Sequence, residues 1–365
     1  MADEPQTWWQ RWKGPIYTGL LVLSWLTTVV IALRKGEAPP PPPVFTPAPE
    51  YGQGWYADPV AVAEVAAALD TARFQDTPAF LAAGPDPDHV YLWEAAKKAL
   101  NRHIPTRDQG QVGSCVAFGA ACAVEYLHAV QMANGHPATW RDVCQEVIYG
   151  GSRVEVGGGR IRGDGSVGAW AADFVNRWGV VARGTYGRID LTSYSESRCR
   201  EYGRTGCPDE LEPVARERPV RGITQVKTVA ELRKAIRNGY PVTIASTVGF
   251  TTTRDADGFL QPSGTWAHQM TCVAYRTDRP GFFIMNSWGP NWVKGPAGPG
   301  DPPPGGFWVE ERTVQKMLNA GDSWAFSEAV AFAPKKLDWL ILAPVPFRHP
   351  LALGGGRPWE VSHAW

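Results

Sequence analysis

The sequence predicts an α+β protein, a helical half followed by a strand-rich half, and three observations point there. Helix-like runs come first, over residues 114–132, 167–178 and 228–238. Strand-like runs then dominate, over 241–247, 269–275, 282–286, 307–311 and 329–334. Helices grouped ahead of strands, not alternating with them, are the α+β pattern. The counts of Gly (39), Pro (32) and Trp (17) add many turns and large aromatic side chains, which excludes a helical bundle.

Each element has a local reason. The run 114–132 begins where a glycine-rich stretch turns apolar, and 228–238 opens on a capping pair, Thr228 and Glu231, and stops at Gly239. Two shorter helices are expected at 59–72 and 91–100.

Ahead of these lies a different organisation. Residues 16–33 (IYTGLLVLSWLTTVVIAL) are 18 uncharged, mostly apolar positions, which as a helix span roughly 27 Å, close to a bilayer core. The stretch exceeds a cleaved leader's apolar core and runs straight into Arg34-Lys35, so an uncleaved anchor is expected after a short head, 1–15. Arg11 and Lys13 balance Arg34 and Lys35, so flanking charge does not orient the span. A short head before a large C-terminal portion fits a signal anchor, hence a single-pass membrane protein with its domain extracytoplasmic. Residues 34–50 form a proline-rich, polyproline II stalk. Residues 51–100 read as a brace or short inhibitory segment, 101–334 as the main domain and 335–365 as a tail. The apolar run 337–347 in that tail is too short to span a bilayer.

Basic and acidic residues balance at 36 each and are scattered, which excludes a nucleic-acid partner. Six cysteines show no C-x-x-C pair, so neither a metal nor a cofactor is expected. Cys199 and Cys207 fall in a polar stretch, read as a loop, where a local disulfide and two free thiols are both open readings.

Three separated stretches carry chemistry. Gln109-Gly-Gln-Val-Gly-Ser-Cys115 places a cysteine at a helix N-terminus, where the dipole and unpaired N–H groups favour a thiolate. His268, 153 residues later, stands at the mouth of a strand where an imidazole can activate that thiol. Asn286 ends the next apolar strand, so neighbouring strands bring its amide to the imidazole, with Trp288 shielding the contact from water.

In order, spacing and local structure these motifs resemble the papain-like cysteine peptidases, over roughly residues 100–334. The resemblance implies a helical subdomain bearing the Cys115 helix, packed against an antiparallel, barrel-like β-subdomain with the active-site cleft between them. It implies Cys115 as nucleophile, His268 as base, Asn286 as orienting amide, and Gln109 with the Cys115 N–H as oxyanion donors. Gly165 and Ser166 are similar to the glycine-rich strand that pairs with substrate backbone, while an ordinary loop remains an open reading there. Trp266 and Ala267 fall where the family lines its specificity pocket, and with Trp288 they complete the five residues expected to meet substrate.

The sequence also departs from the family. Val112 and Gly163 stand where a disulfide usually ties the two loops, Val116 replaces the tryptophan after the nucleophile, and residues 295–306 are an insertion expected to reshape the cleft. The family's long inhibitory propeptide is not recognisable. The expectation is a membrane-anchored peptidase acting on protein or peptide substrates. The alternatives are a catalytically silent binding or scaffolding protein on the same fold, and an acyl-transferring relative.

Overall fold

The computed structural model describes residues 52–81, 84–136, 140–218 and 220–327. The expected head, anchor and stalk, the strand at 329–334 and the tail lie outside them.

The order is α1 (Pro59–Ala67), α2 (Pro78–Leu81), β1 (His89–Tyr91), α3 (Leu92–Leu100), α4 (Cys115–Ala133) and α5 (Gln145–Gly151), which runs on into a π-helical turn at Ser152–Val156. There follow α6 (Gly168–Arg177), a small hairpin of β2 (Thr185–Tyr186) and β3 (Ile189–Asp190), α7 (Glu196–Thr205), α8 (Glu212–Arg216), β4 (Ile223–Gln225) and α9 (Val229–Arg237). The second half holds β5 (Val242–Phe250), β6 (Pro262–Arg276), β7 (Gly281–Met285), β8 (Gly306–Glu310), α10 (Glu311–Leu318) and β9 (Ser323–Phe326).

The main sheet has seven antiparallel strands in the order β4-β9-β5-β6-β7-β8, with β1 also pairing β6. Among the described residues these pairings form an open path, so the barrel-like subdomain is a curved sheet and not a closed barrel. The capping box of α9 forms: Thr228 Oγ1 accepts from the Glu231 N–H while Glu231 accepts from the Thr228 N–H.

Helix α4 is buried along nearly its whole length, which is why its sequence is apolar all round. It lies against β6. Gln269 Nε2 donates to the Val116 carbonyl at 3.1 Å and Thr271 Oγ1 to the Gly119 carbonyl at 2.8 Å. These bonds satisfy polar groups inside the core and set the register of helix against strand, which brings the start of α4 beside His268.

One expectation changes. Cys199 lies within α7 and Cys207 just beyond it, both buried and both free thiols, so 199–207 is not a surface loop. The polar composition of α7 hid a helix that buries one narrow face through Cys199, Tyr202 and Gly203. The insertion 295–306 is partly exposed and is tied down at two points: the Gly300 carbonyl accepts from Trp93 Nε1 at 2.9 Å and the Gly305 carbonyl from Trp292 Nε1 at 2.7 Å.

Candidate active site

Cys115 is the first residue of α4, at the point where Gly113 and Ser114 turn the chain into the helix. His268 lies within β6, which starts earlier than expected because β5 pairs along it from Ser246↔His268 out to Phe250↔Pro262. Asn286 follows β7, the strand beside β6.

His268 Nε2 and Asn286 Oδ1 are 2.8 Å apart, and the same oxygen accepts from the Ser287 N–H at 2.7 Å. An amide oxygen accepts only, so Nε2 carries the proton and Nδ1 is left as the basic nitrogen. Nδ1 has no hydrogen-bond partner among the described residues. Trp288 covers the imidazole, with ring centroids 4.7 Å apart, as expected of a shield.

Gln109 joins the same group. Its Oε1 accepts from Ser287 Oγ at 2.6 Å, which turns Nε2 toward the cleft, where it donates to Val112 O at 2.8 Å and Gly52 O at 3.0 Å. Ser287 thereby links Asn286 to Gln109. It is a polar residue inside the tryptophan motif that sequence reasoning left without a role. Upstream, Arg107 pairs with buried Glu125 at 3.0 Å and with Asp142 at 2.6 Å, pinning the chain that carries Gln109.

The cleft is filled by the protein's own chain. Residues 52–56 (Gly-Gln-Gly-Trp-Tyr) run across it as a strap bonded to both walls. On one wall Ser166 N–H donates to Gly54 O at 2.8 Å and Tyr56 N–H to Ser166 O at 2.9 Å. On the other, Gly54 and Trp55 N–H both donate to Ala267 O at 3.0 Å, and Ala267 N–H donates to Gln53 Oε1 at 3.0 Å. Trp288 Nε1 donates to Gly52 O at 3.2 Å. Glycine is required at 54, since a Cβ there would collide with the Gly113 carbonyl. Trp55 anchors the strap: it is buried and donates Nε1 to Asp322 Oδ2 at 2.8 Å.

Four of the five residues expected to meet substrate thus meet the strap. Ser166 and Ala267 use main chain, Trp288 uses its indole N–H, and Gly165 packs under the Tyr56 ring. Trp266 does not belong with them. Its ring packs between Phe250, Trp288 and Trp292 at 4.7–5.8 Å, a place in the aromatic core that strand alternation imposes once Ala267 faces the strap. The two loops left without the family's disulfide are joined instead by the Gly113 N–H donating to Asp164 Oδ2 at 3.3 Å, with Arg200 on the same carboxylate.

Closure governs ionisation. Burial pushes the Cys115 thiol up to about 11, against the opposing pull of the N–H groups of Gln269, Gly54, Val116 and Cys115 itself. Burial likewise pushes the His268 imidazole down to about 4, with the Asn286 hydrogen bond opposing. Both shifts run against the charged forms, so burial under the strap opposes a thiolate–imidazolium pair.

Residues 93–296, more than half of the chain, match the model of the papain family cysteine proteases. The chain belongs to the papain family. Among solved structures this papain-family chain is similar to xylellain, a cysteine protease from Xylella fastidiosa, with a TM-score of 0.55 and 17% identity over 78% of this chain and 98% of that one. It is also similar to the ragweed pollen allergen Amb a 11 in its proform (TM-score 0.47, 17% identity, 75% of this chain and 76% of that one). Digestive procathepsin L 3 of Tenebrio molitor larval midgut gives a TM-score of 0.44 at 16% identity, over 85% of this chain and 90% of that one. At such identities the likeness bears on fold alone. No match to a curated protein was found.

Proposed function

We propose that this papain-family chain is a cysteine peptidase that cleaves protein or peptide substrates, held latent by residues 52–56. What supports the reading is the His268–Asn286 pair, with Gln109 and the Cys115 thiol each bonded to the same strap, in a cleft whose walls already hold an extended main chain through Ser166 and Ala267.

Once the strap leaves, water reaches the thiol and imidazole, the proton passes from Sγ to Nδ1, and the ion pair forms. The thiolate attacks a peptide carbonyl whose oxygen takes the place of Gly52 O on Gln109 Nε2, beside the N–H of Cys115. The imidazolium returns its proton to the leaving amine, and water then hydrolyses the thioester with His268 as base. The strap resists this sequence because it presents the Gly54 N–H to the sulfur. A donor stabilises a thiolate but offers no carbonyl carbon to it.

No observation favours the silent scaffold or the acyl transferase over this reading. The apolar stretch 16–33 supports tethering of the domain on the proline-rich stalk, on the extracytoplasmic side of a membrane. The test is hydrolysis of a peptide mixture by the full chain carrying Trp55→Ala, with Cys115→Ala added as the control. Cys115-dependent cleavage is expected. Cleavage that survives Cys115→Ala, or none from an open and folded chain, would overturn the assignment.

A further inference from the structure

The wall that holds the strap has its own backing. Ser166 forms a lone bridge to Trp55, and there the main-chain polar groups of successive residues face opposite ways. The N–H and C=O of Ser166 face the cleft and bond Gly54 and Tyr56. Those of Gly165 face inward, where a second strand would normally pair them. No strand lies there. The Gly165 N–H donates to Tyr149 Oη at 2.7 Å, and its carbonyl accepts from Arg153 Nη1.

Arg153 is buried, carried on the π-helical turn that follows α5. Besides Gly165 O it donates to Gly203 O through Nε at 2.6 Å, to Tyr149 Oη through Nη1 at 3.2 Å, and through Nη2 to Ile161 O at 3.0 Å and Gly163 O at 2.7 Å. A guanidinium has five N–H donors, so all five are spent, each on an uncharged acceptor. Four are main-chain carbonyls, three of them in the loop 161–165. Burying a cation on neutral acceptors is costly, and a core apolar residue would fill the volume without that cost. What only the planar fork provides is simultaneous hold of several carbonyls in fixed directions.

We infer that Arg153, with Tyr149, is the positioning residue for the substrate-binding strand, a non-covalent staple that aims the Ser166 N–H and C=O at whatever peptide occupies the cleft. The guanidinium also polarises the Gly165–Ser166 peptide through its carbonyl, which sharpens the N–H that donates to the bound chain. Ser152 completes the support from the same turn, its Oγ 2.9 Å from Ser166 Oγ. The inference rests on the peptidase reading for its kinetic consequence, but not for its effect on the strap.

The test has two arms. In the full-length chain, hydrogen exchange is followed in peptides covering 53–57 and 163–167 for Arg153→Lys and, as a milder change, Tyr149→Phe. Exchange at Ser166 and Tyr56 should quicken by roughly tenfold, with α4 protected as before. In the chain opened by Trp55→Ala, KM for a fluorogenic peptide that this chain cleaves should rise by roughly ten- to a hundredfold, with kcat held within about threefold. Alkylation of Cys115 by iodoacetamide should not change. If the opened chain cleaves nothing, the peptidase reading fails and the exchange arm alone decides for Arg153. Unchanged exchange at 53–57 and 163–167, or loss of protection in α4 together with falls in both kcat and thiol reactivity, would overturn the inference, the last by showing a general structural role.

Discussion

Trp55 sits at the hinge between the strap and α1, and its indole is the largest side chain that the strap contributes to the core. It is 5% exposed and spends its N–H on Asp322, whose carboxylate also accepts from the Gly168 N–H at 2.8 Å and from Trp324 Nε1 at 2.7 Å. Truncating a buried tryptophan to alanine costs about 3–5 kcal/mol. Asp322 keeps its two other donors, so the lower end applies, about 3 kcal/mol. When the strap lifts, the indole is exposed in either case, so the loss falls on the closed state. At about 1.4 kcal/mol per decade, Trp55→Ala should raise the open fraction by about a hundredfold. The assay is the rate of Cys115 alkylation at neutral pH, read by mass spectrometry on the Cys115 peptide. A rise of about two decades is expected, until the open form predominates. An unchanged rate in a chain with native circular dichroism would refute the strap as the barrier, as would a wild-type rate equal to that of an exposed thiol.

The remaining predictions concern chemistry, pH and the N-terminal segment. Gln109→Ala in the opened chain removes one oxyanion donor and should lower kcat by about 10²–10³-fold, which steady-state kinetics would show. His268→Ala should abolish turnover. Because the ring is fully buried, its loss should also lower the melting temperature, and an unchanged melt would contradict that burial. Closure should depend on pH at the alkaline end. The closed site keeps one proton on Cys115 until about 11, whereas the open thiolate–imidazolium pair holds its one proton on His268 and gives it up at lower pH. Strap protection, measured by hydrogen exchange corrected for intrinsic rates, should therefore fall as the pH rises through the alkaline range up to about 11. A flat alkaline profile would count against burial under the strap as the cause of the Cys115 shift. Deleting residues 1–37 should yield a chain that is soluble without detergent and whose Cys115 stays as slow to alkylate as in the full chain, which sedimentation and alkylation together would check.

Much of the site was legible in the sequence because its signals are local. Cys115 stands where glycines give way to an apolar helix, and His268 and Asn286 belong to adjacent strand-like runs. A helix start and the alternation of a strand are properties of consecutive residues, so the order of elements follows from composition and spacing, while the three polar groups were singled out by the resemblance of their motifs to a known family. The same locality explains what was misread. Helix α7 is too polar for its narrow buried face to show, and β9 is a four-residue strand, Ser323–Phe326, too short for its pattern to stand out.

Only the tertiary structure decided what occupies the cleft and how its wall is held. Gly52 meets Gln109 across 57 positions and Trp288 across 236, and Trp55 meets Asp322 across 267. No window of sequence contains both partners of such contacts. The Gly-x-Gly-Trp of the strap has no turn to explain its glycines, and their reason, a neighbouring backbone too close for a Cβ, exists only once Gly113 lies against them. The ionisation of Cys115 and His268 was likewise beyond reach, because burial sets it and burial belongs to the fold. The sequence by itself singled out Cys115, His268 and Asn286 as the groups proposed to react. The packing of distant segments decided that, in this conformation, those groups lie covered by a strap, with burial opposing their charged forms.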